Sequence, residues 1–306
     1  MNRSLRPSNV EIRADDPALT GHAGLLLTGE MAARTDLVIR LDRAINAVRP
    51  FKVRRRGRSG GELLVTLAEM MTAGGDHLVH LDELREDEAG AELRAVSGVP
   101  APTTVGQLMR RFSARQCQAA VAELARMGEE VDCQLGLTAT GPVTLDLDSF
   151  DSEVYGRFKQ GAAYNYRGQR CYDSQLATWA ERRRLLAAEL RSGNLTEHPT
   201  AIKVIRRALK ALPTDHGRVR VRMDSGFESV ATFKELRRRE VGFTCSLKRM
   251  PALHRLRLEI PSRAWRPALL MPQAEIAETT YAPEGLASRT AAPDRPEGED
   301  PGRGVK

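Results

Sequence analysis

Aromatic side chains are scarce in this chain, at 5% of residues. The interior must therefore be filled by Leu, Val, Ala and Ile. Cysteine is also sparse. Cys117, Cys133, Cys171 and Cys245 are the only four, and none forms a C-x-x-C pair. That spacing shows neither a zinc ribbon nor a disulfide framework, and it suits a reducing cytoplasm. The six histidines include no H-E-x-x-H motif, so no zinc hydrolase is indicated. No apolar run reaches the roughly 18 residues that a membrane helix needs. The opening MNRSLRPSNV has no apolar secretory region. The expectation is a cytoplasmic protein with no membrane partner.

What is present is a chain of 306 residues, enough for two ordinary domains. Hydrophobic residues at 41% and charged residues at 28% describe a globular composition. The net charge is +7 and the isoelectric point near 9.5. Such an excess suits a polyanionic partner, and equally a solvated basic surface.

Residues 1–22 are polar and read as a flexible arm. From Gly24 to Val48 apolar residues recur at helical spacing, and the basic run FKVRRRGR follows at 51–58. Helices are expected over about Gly61–Ala73, Leu78–Val96, Val105–Phe112 and Ala114–Gly128, with Thr103 or Thr104 capping the third. Residues 23–135 thus read as an all-helical domain. The pattern changes at GPVTLDLDS, where Val143, Leu145 and Leu147 alternate with Thr144, Asp146 and Asp148, as in a strand. Further strands are expected at Ala163–Tyr166, Leu185–Arg191, Arg218–Asp224 and Val241–Leu247. Helices are expected at Thr200–Leu212 and Ser229–Glu240. Residues 136–283 then form an α/β domain with a mixed sheet. Residues 284–306, rich in Pro, Gly and charge, read as a disordered tail.

Two aspartates stand at strand ends. Asp148 precedes Ser149, and Asp224 precedes Ser225-Gly226-Phe227. Side by side, such carboxylates can hold a hard divalent cation through oxygen. Either one alone is more often a turn or cap residue. Asp146 shares a strand face with Asp148, and spacing does not choose between them.

The blocks VTLDLDS (143–149), VYGRFKQGAAYNYRGQRCY (154–172) and VRVRMDSGF (219–227) resemble transposases of the insertion-sequence thirteen-eighty family. So do GGDHLVHLDELRED (74–87) and PAPTTVGQLMRRF (100–112), and the similarity covers roughly residues 24–283. The resemblance implies an RNase H-like core preceded by a helical DNA-binding domain. It implies an Asp-Asp-Glu triad binding Mg2+, with Mn2+ as a substitute. Its first two acids map onto Asp148 and Asp224. The third is a glutamate on a late helix beyond a β-rich insertion, and Glu275, Glu278 and Glu284 lie in the insertion-like stretch instead. The expectation is therefore a copy incomplete at its C-terminal end. The implied function is DNA cleavage and strand transfer at element ends. A catalytically dead DNA-binding remnant, acting as an inhibitor or a pseudogene product, is the alternative. The implied partner is double-stranded DNA, both terminal inverted repeats and target, held by a homodimer.

The candidate DNA contacts are Arg54, Arg55, Arg56, Arg58, Arg110 and Arg111 in the helical front, and Lys159 and Arg167 in the core. Lys and Arg there would neutralise phosphates. Tyr155, Tyr164 and Tyr166 accompany the last two and read mainly as cross-strand pairs. The segment 103–128 reads as a helix-turn-helix or as a plain αα-hairpin.

Overall fold

The computed structural model describes residues 18–53, 56–194, 198–269 and 271–281. The 284–306 tail, most of the 1–22 arm, and Arg54 and Arg55 lie outside the described residues.

Before residue 143 every described element is helical. The 24–48 stretch is not continuous. It divides into α1 (Leu25–Arg34) and α2 (Leu37–Val48), because Asp36 adopts a left-handed conformation at φ 52°. Aspartate tolerates that region better than most residues, so the apolar spacing carries on across the break. The buried face of α2 is Leu37, Leu41 and Ile45, one helical turn apart. Its neighbour α3 (Gly60–Thr72) starts on a capping box: Ser59 Oγ accepts from Glu62 N at 3.2 Å, and Ser59 N donates to the Glu62 carboxylate at 2.6 Å. Gly61 lies against the Val38 carbonyl of α2, where a Cβ would collide with backbone.

The expected helix over 78–96 is instead a short turn, α4 (Leu81–Glu86) and a second turn at Ala91–Leu93. Asp87 ends α4 by accepting from Gly90 N at 2.9 Å and from Thr20 Oγ1 at 2.7 Å, which draws the chain off the helical path. The third expected helix starts earlier than its threonines, as α5 (Pro102–Met109) with proline in the first turn and no side-chain cap. α6 runs from Ala114 to Gln134, past the expected stop at Gly128, and the chain leaves it at Gly136 with φ +69°.

The sheet comprises β1 (Val143–Glu153), β2 (Ala163–Tyr164), β3 (Arg170–Trp179), β4 (Arg184–Ser192), β5 (Val219–Met223) and β6 (Gly242–Cys245). Its order is β2-β3-β1-β5-β6, with β4 also paired to β3. β1, β5 and β6 run parallel, and β3 is antiparallel to β1, β2 and β4. It is a mixed sheet flanked by helices, within the α/β reading. α7 (His198–Lys210) and α8 (Val230–Arg238) pack on one face. Ala201, Val204, Ile205 and Ala208 of α7 are buried with Leu145, Leu147, Val221 and Met223 of the strands, and with Phe233 and Leu236 of α8. Beyond β6 come α9 (Pro251–Glu259) and a small hairpin, β7 (Arg266–Pro267) with β8 (Glu275–Ile276).

β3 had no counterpart among the expected strands. Its inward positions are Cys171, Asp173, Gln175, Ala177 and Trp179, all buried. Two of the five are polar, so the apolar alternation that marks a half-buried strand is interrupted. Asp173 meets Arg191 of β4 at 2.7 Å, both side chains buried.

α6 belongs to two cores. Ala120 packs with Leu37, Leu41 and Val65 of the front, whereas Ala125 packs with the sheet. Asp132 accepts from Arg184 at 2.9 Å, and Gln118 donates to Glu189 at 3.2 Å, tying α6 to β4.

Candidate functional site

The alternation of β1 and β5 decides where their polar residues stand. Val143, Leu145 and Leu147 are buried on the helix-covered face. Thr144, Asp146 and Asp148 therefore occupy the other, more open face. In the parallel register Asp146 pairs with Arg222 and Leu147 with Met223. Asp148 and Asp224 each follow that last pair and so stand at the same level of adjacent strands. Asp224 lies just past the end of β5. The expected strand end at Asp148 is corrected, because pairing with β3 carries β1 on to Glu153.

Each acid has one oxygen engaged locally. Asp148 Oδ1 accepts from Ser149 N at 2.8 Å. Asp224 Oδ1 accepts from Gly226 N at 2.9 Å and caps the turn Ser225–Phe227. No described residue donates to Oδ2 of either. Asp224 is thus a cap residue that still offers an oxygen, and the two roles do not compete. Asp146 is differently placed. Arg222 Nε and an Arg222 terminal nitrogen each donate to it at 2.6 Å, a bidentate pair that occupies both carboxylate oxygens. It also sits two residues, roughly 6.6 Å along β1, before Asp148.

The environment of the strand ends is electronegative. Cys245, at the end of β6, has its thiol pushed up to about 11 by burial first and then by the Glu228 and Asp224 carboxylates. Its Sγ lies 3.3 Å from the Asp224 carbonyl. Oxygen donors in such a field fit a hard divalent cation. Among the described residues no third Asp, Glu, His or Cys joins Asp148 and Asp224 as a ligand group. Glu275 is exposed on β8, and Glu284 lies outside the described residues.

Beside Asp224 opens a cleft of about 1100 Å³, lined among others by Asp224, Asp151, Asn165, Tyr166, Arg167 and Lys248 but not by Asp148. Asn165, almost wholly buried, shapes its rim. Asn165 Oδ1 accepts from Arg167 N at 2.9 Å and Gln169 N at 3.0 Å, and Asn165 Nδ2 donates to Asp151 at 2.7 Å. The Arg167 guanidinium lies 5.1 Å from the Tyr166 ring centre and donates to its hydroxyl at 2.8 Å. Lys159 is exposed on the preceding loop and does not line the cleft. Asp151 and Lys248 were not singled out in the sequence. Asp151 has no partner motif around it, and Lys248 lies beyond β6 in an unpatterned stretch.

The structure also gathers the basic residues of the front. Arg49 donates to the Arg111 carbonyl at 2.9 Å across 62 residues. Lys52 Nζ bonds the carbonyls of Arg56 and Arg58. Burial lowers the Lys52 pKa, and the Arg111 charge lowers it further. Arg49, Lys52 and Arg111 therefore belong to one cationic patch. Arg58 is partly neutralised by Glu62 at 2.7 Å. Arg56, Arg110 and Arg111 are exposed. Arg49 went unnoticed in the sequence, because a lone arginine after α2 carries no signal.

The sheet is mixed, with β1 and β5 parallel and Asp148 and Asp224 following the last pair of their shared register. The chain belongs to the DDE transposases: the family described as Transposase DDE domain group 1 matches residues 2–285. DDE transposases use divalent metals. No curated protein matches the chain. Among solved structures it is similar to the "Mos1 transposase paired-end complex with left transposon end" at 11% identity, over 63% of this chain and 61% of that one, with a TM-score of 0.24. The "Crystal structure of the Mos1 Strand Transfer Complex" matches at 13% identity, over 66% and 63%, also with a TM-score of 0.24. The chain thus spans about three fifths of those transposases, and overlaps this loose carry no argument about its site.

Proposed function

We propose that this chain is a transposase of the insertion-sequence thirteen-eighty kind with an RNase H-like core. It cuts DNA at the ends of its element and joins them to a target. The observation that carries the reading is the pair of carboxylates, Asp148 within β1 and Asp224 just past β5, at the same level of adjacent parallel strands, each with Oδ2 available. The sheet supports the core assignment, with β1, β5 and β6 parallel and β3 antiparallel beside β1. Asp148 and Asp224 hold Mg2+, for which Mn2+ substitutes. Asp146 is left out because Arg222 occupies it. When bound, the metal supplies Lewis-acid charge that favours ionised water and an oxyanion leaving group. Asp148 and Asp224 fix where that charge sits, so the phosphodiester must be brought to the strand ends.

Arg167 and Lys248 line the cleft with Asp224 and take the phosphates flanking the cut. Asn165 holds the loop that presents Arg167. Water attacks phosphorus and the 3′-oxygen leaves with a proton. That 3′-hydroxyl then attacks a target phosphodiester and displaces another 3′-oxygen. The helical front, through Arg56, Arg110 and Arg111, holds the duplex of the terminal inverted repeats by its phosphates, and a homodimer pairs the two ends. Arg58, held by Glu62, contributes less.

The test uses the full chain on duplex DNA carrying the terminal repeats, with gel shift and strand cleavage in Mg2+ read side by side. The expected outcome is binding and cleavage by the native chain, and binding without cleavage by the Asp148→Asn/Asp224→Asn double variant. Nicking retained by that variant sinks the site assignment. Binding without cleavage by the native chain makes it a DNA-binding protein rather than a nuclease.

A further inference from the structure

We propose that Asp76, His77 and His80 form a site for a divalent transition metal of the Zn2+ type, separate from the acid pair on the sheet. One ligand atom from each, a carboxylate oxygen and two ring nitrogens, lies within 4.8 Å of the others. The geometry comes from the chain reversal after α3. Gly74, at φ +97°, turns the chain out of the helix, and Gly75 N bonds the Met70 carbonyl at 2.9 Å. A Cβ on Gly75 would sit 2.9 Å from the Cβ of His80, so glycine is what lets His80 fold back over the turn.

The rings are already oriented. His80 Nδ1 accepts from Asp76 N at 3.1 Å and His77 N at 3.2 Å. This directs its lone pair inward, 3.2 Å from Asp76 Oδ1, and leaves the proton on Nε2. That tautomer is the one a metal at Nδ1 requires, and the ion replaces two long hydrogen bonds. His77 Nδ1 lies 2.5 Å from the same Asp76 oxygen, so the ion also takes the place of the proton they share. The two rings stand at 89° with centres 5.7 Å apart, which leaves room between their edges. The His77 and Asp76 side chains are 70% and 74% exposed, leaving the remaining positions of the ion to water.

The donor set decides the metal. Two imidazoles and one carboxylate suit Zn2+, Co2+ or Ni2+, whereas Mg2+ prefers all-oxygen ligands. Bound there, the ion clamps the turn between α3 and α4.

The experiment titrates Zn2+ into the full chain in excess Mg2+, with Co2+ absorption as a second readout. The native chain is expected to bind one equivalent of Zn2+ that Mg2+ does not displace, and to show visible Co2+ bands. His77→Ala, whose ring is exposed and supports no buried contact, is expected to weaken binding at least about tenfold. His77→Ala/His80→Ala is expected to abolish it, with circular dichroism checking that the helices persist. No Zn2+ uptake by the native chain, or equal uptake by His77→Ala, overturns the proposal. Neither result touches the assignment of Asp148 and Asp224, whose metal is present throughout.

Discussion

The helical front and the sheet use charge in opposite ways. In the front, cations from distant segments converge on one surface, and Arg49, Lys52 and Arg111 meet with Glu62 and Asp42 offsetting part of their charge. On the sheet the cations are tied down. Asp146 holds Arg222, Asp173 holds Arg191, and Glu235 holds Arg206, Arg238 and Arg239. What is left uncompensated at the strand ends is acidic. A duplex that satisfied both regions would lie with its phosphates on the front and its cut site at the sheet. The contrast also teaches that α6 must be stiff and well anchored, since it contributes side chains to both cores.

The largest expected effect tests whether the two regions are one cooperative unit. Phe227 and Leu63 are fully buried, one in each core. Phe227→Ala should cost about 3–5 kcal/mol and Leu63→Ala about 2–5 kcal/mol. If α6 couples the cores, both variants shift the same denaturant transition. Two separate transitions, each moved by one variant, would break the coupling. The buried Asp173–Arg191 pair gives a comparable loss. Arg191→Met should destabilise by about 3–5 kcal/mol by stranding Asp173, measured by urea melts.

Next comes the choice between the two aspartates on β1. Asp148→Asn should lower strand cleavage on the order of 10²–10³-fold with DNA binding kept. Asp146→Asn should do far less, because its carboxylate already serves Arg222. Equal losses from the two would erase the distinction drawn from the geometry.

Acid titration separates the regions by sign. Glu69 in α3 is buried, and burial raises its pKa despite its bond from Ala95 N and the Arg94 charge. Its folded pKa lies above the unfolded one, so its contribution is full below the ordinary glutamate range and is lost as pH rises through the raised value. Glu69→Gln should therefore remove a penalty near neutral pH. Glu235 on α8 is held far below the usual range by hydrogen bonds from Arg206, Arg238 and Arg239. Its contribution is present above the unfolded pKa and fades as pH falls towards the depressed value, so Glu235→Gln should destabilise at neutral pH and matter less in acid. Thermal melts at several pH values check both directions.

The smallest effect is on DNA. Arg56→Ala and Arg111→Ala should each reduce the salt slope of binding by about 0.9, uniformly across sequences. Arg58→Ala should change it less, since Glu62 already compensates that charge.

β1 and β5 were legible in the sequence because one face of each is apolar and meets α7 and α8, which leaves a clean alternation. The same alternation put Asp224 at the end of its strand, but it missed that β1 continues past Asp148 to Glu153. Ser149, Phe150 and Asp151 break the apolar alternation while still pairing with β3. β3 was not legible, because Asp173 and Gln175 point inward and interrupt its apolar alternation, Asp173 meeting Arg191 on another strand. The division between α1 and α2 escaped for a different reason: a backbone turn at Asp36 leaves apolar spacing unchanged.

The sequence by itself determined the mixed α/β character, the strands that carry the two acids and the family blocks around them. All of these rest on local periodicity and on residues close together in the chain. Tertiary structure alone decided that Asp148 and Asp224 stand at the same level of neighbouring strands, that β1 runs on past Asp148, and that Asp146 is spoken for by Arg222. It likewise decided that basic residues 62 apart form one patch. Each of these depends on strand register or helix packing, and pairing across such distances leaves no trace in the spacing of a single chain.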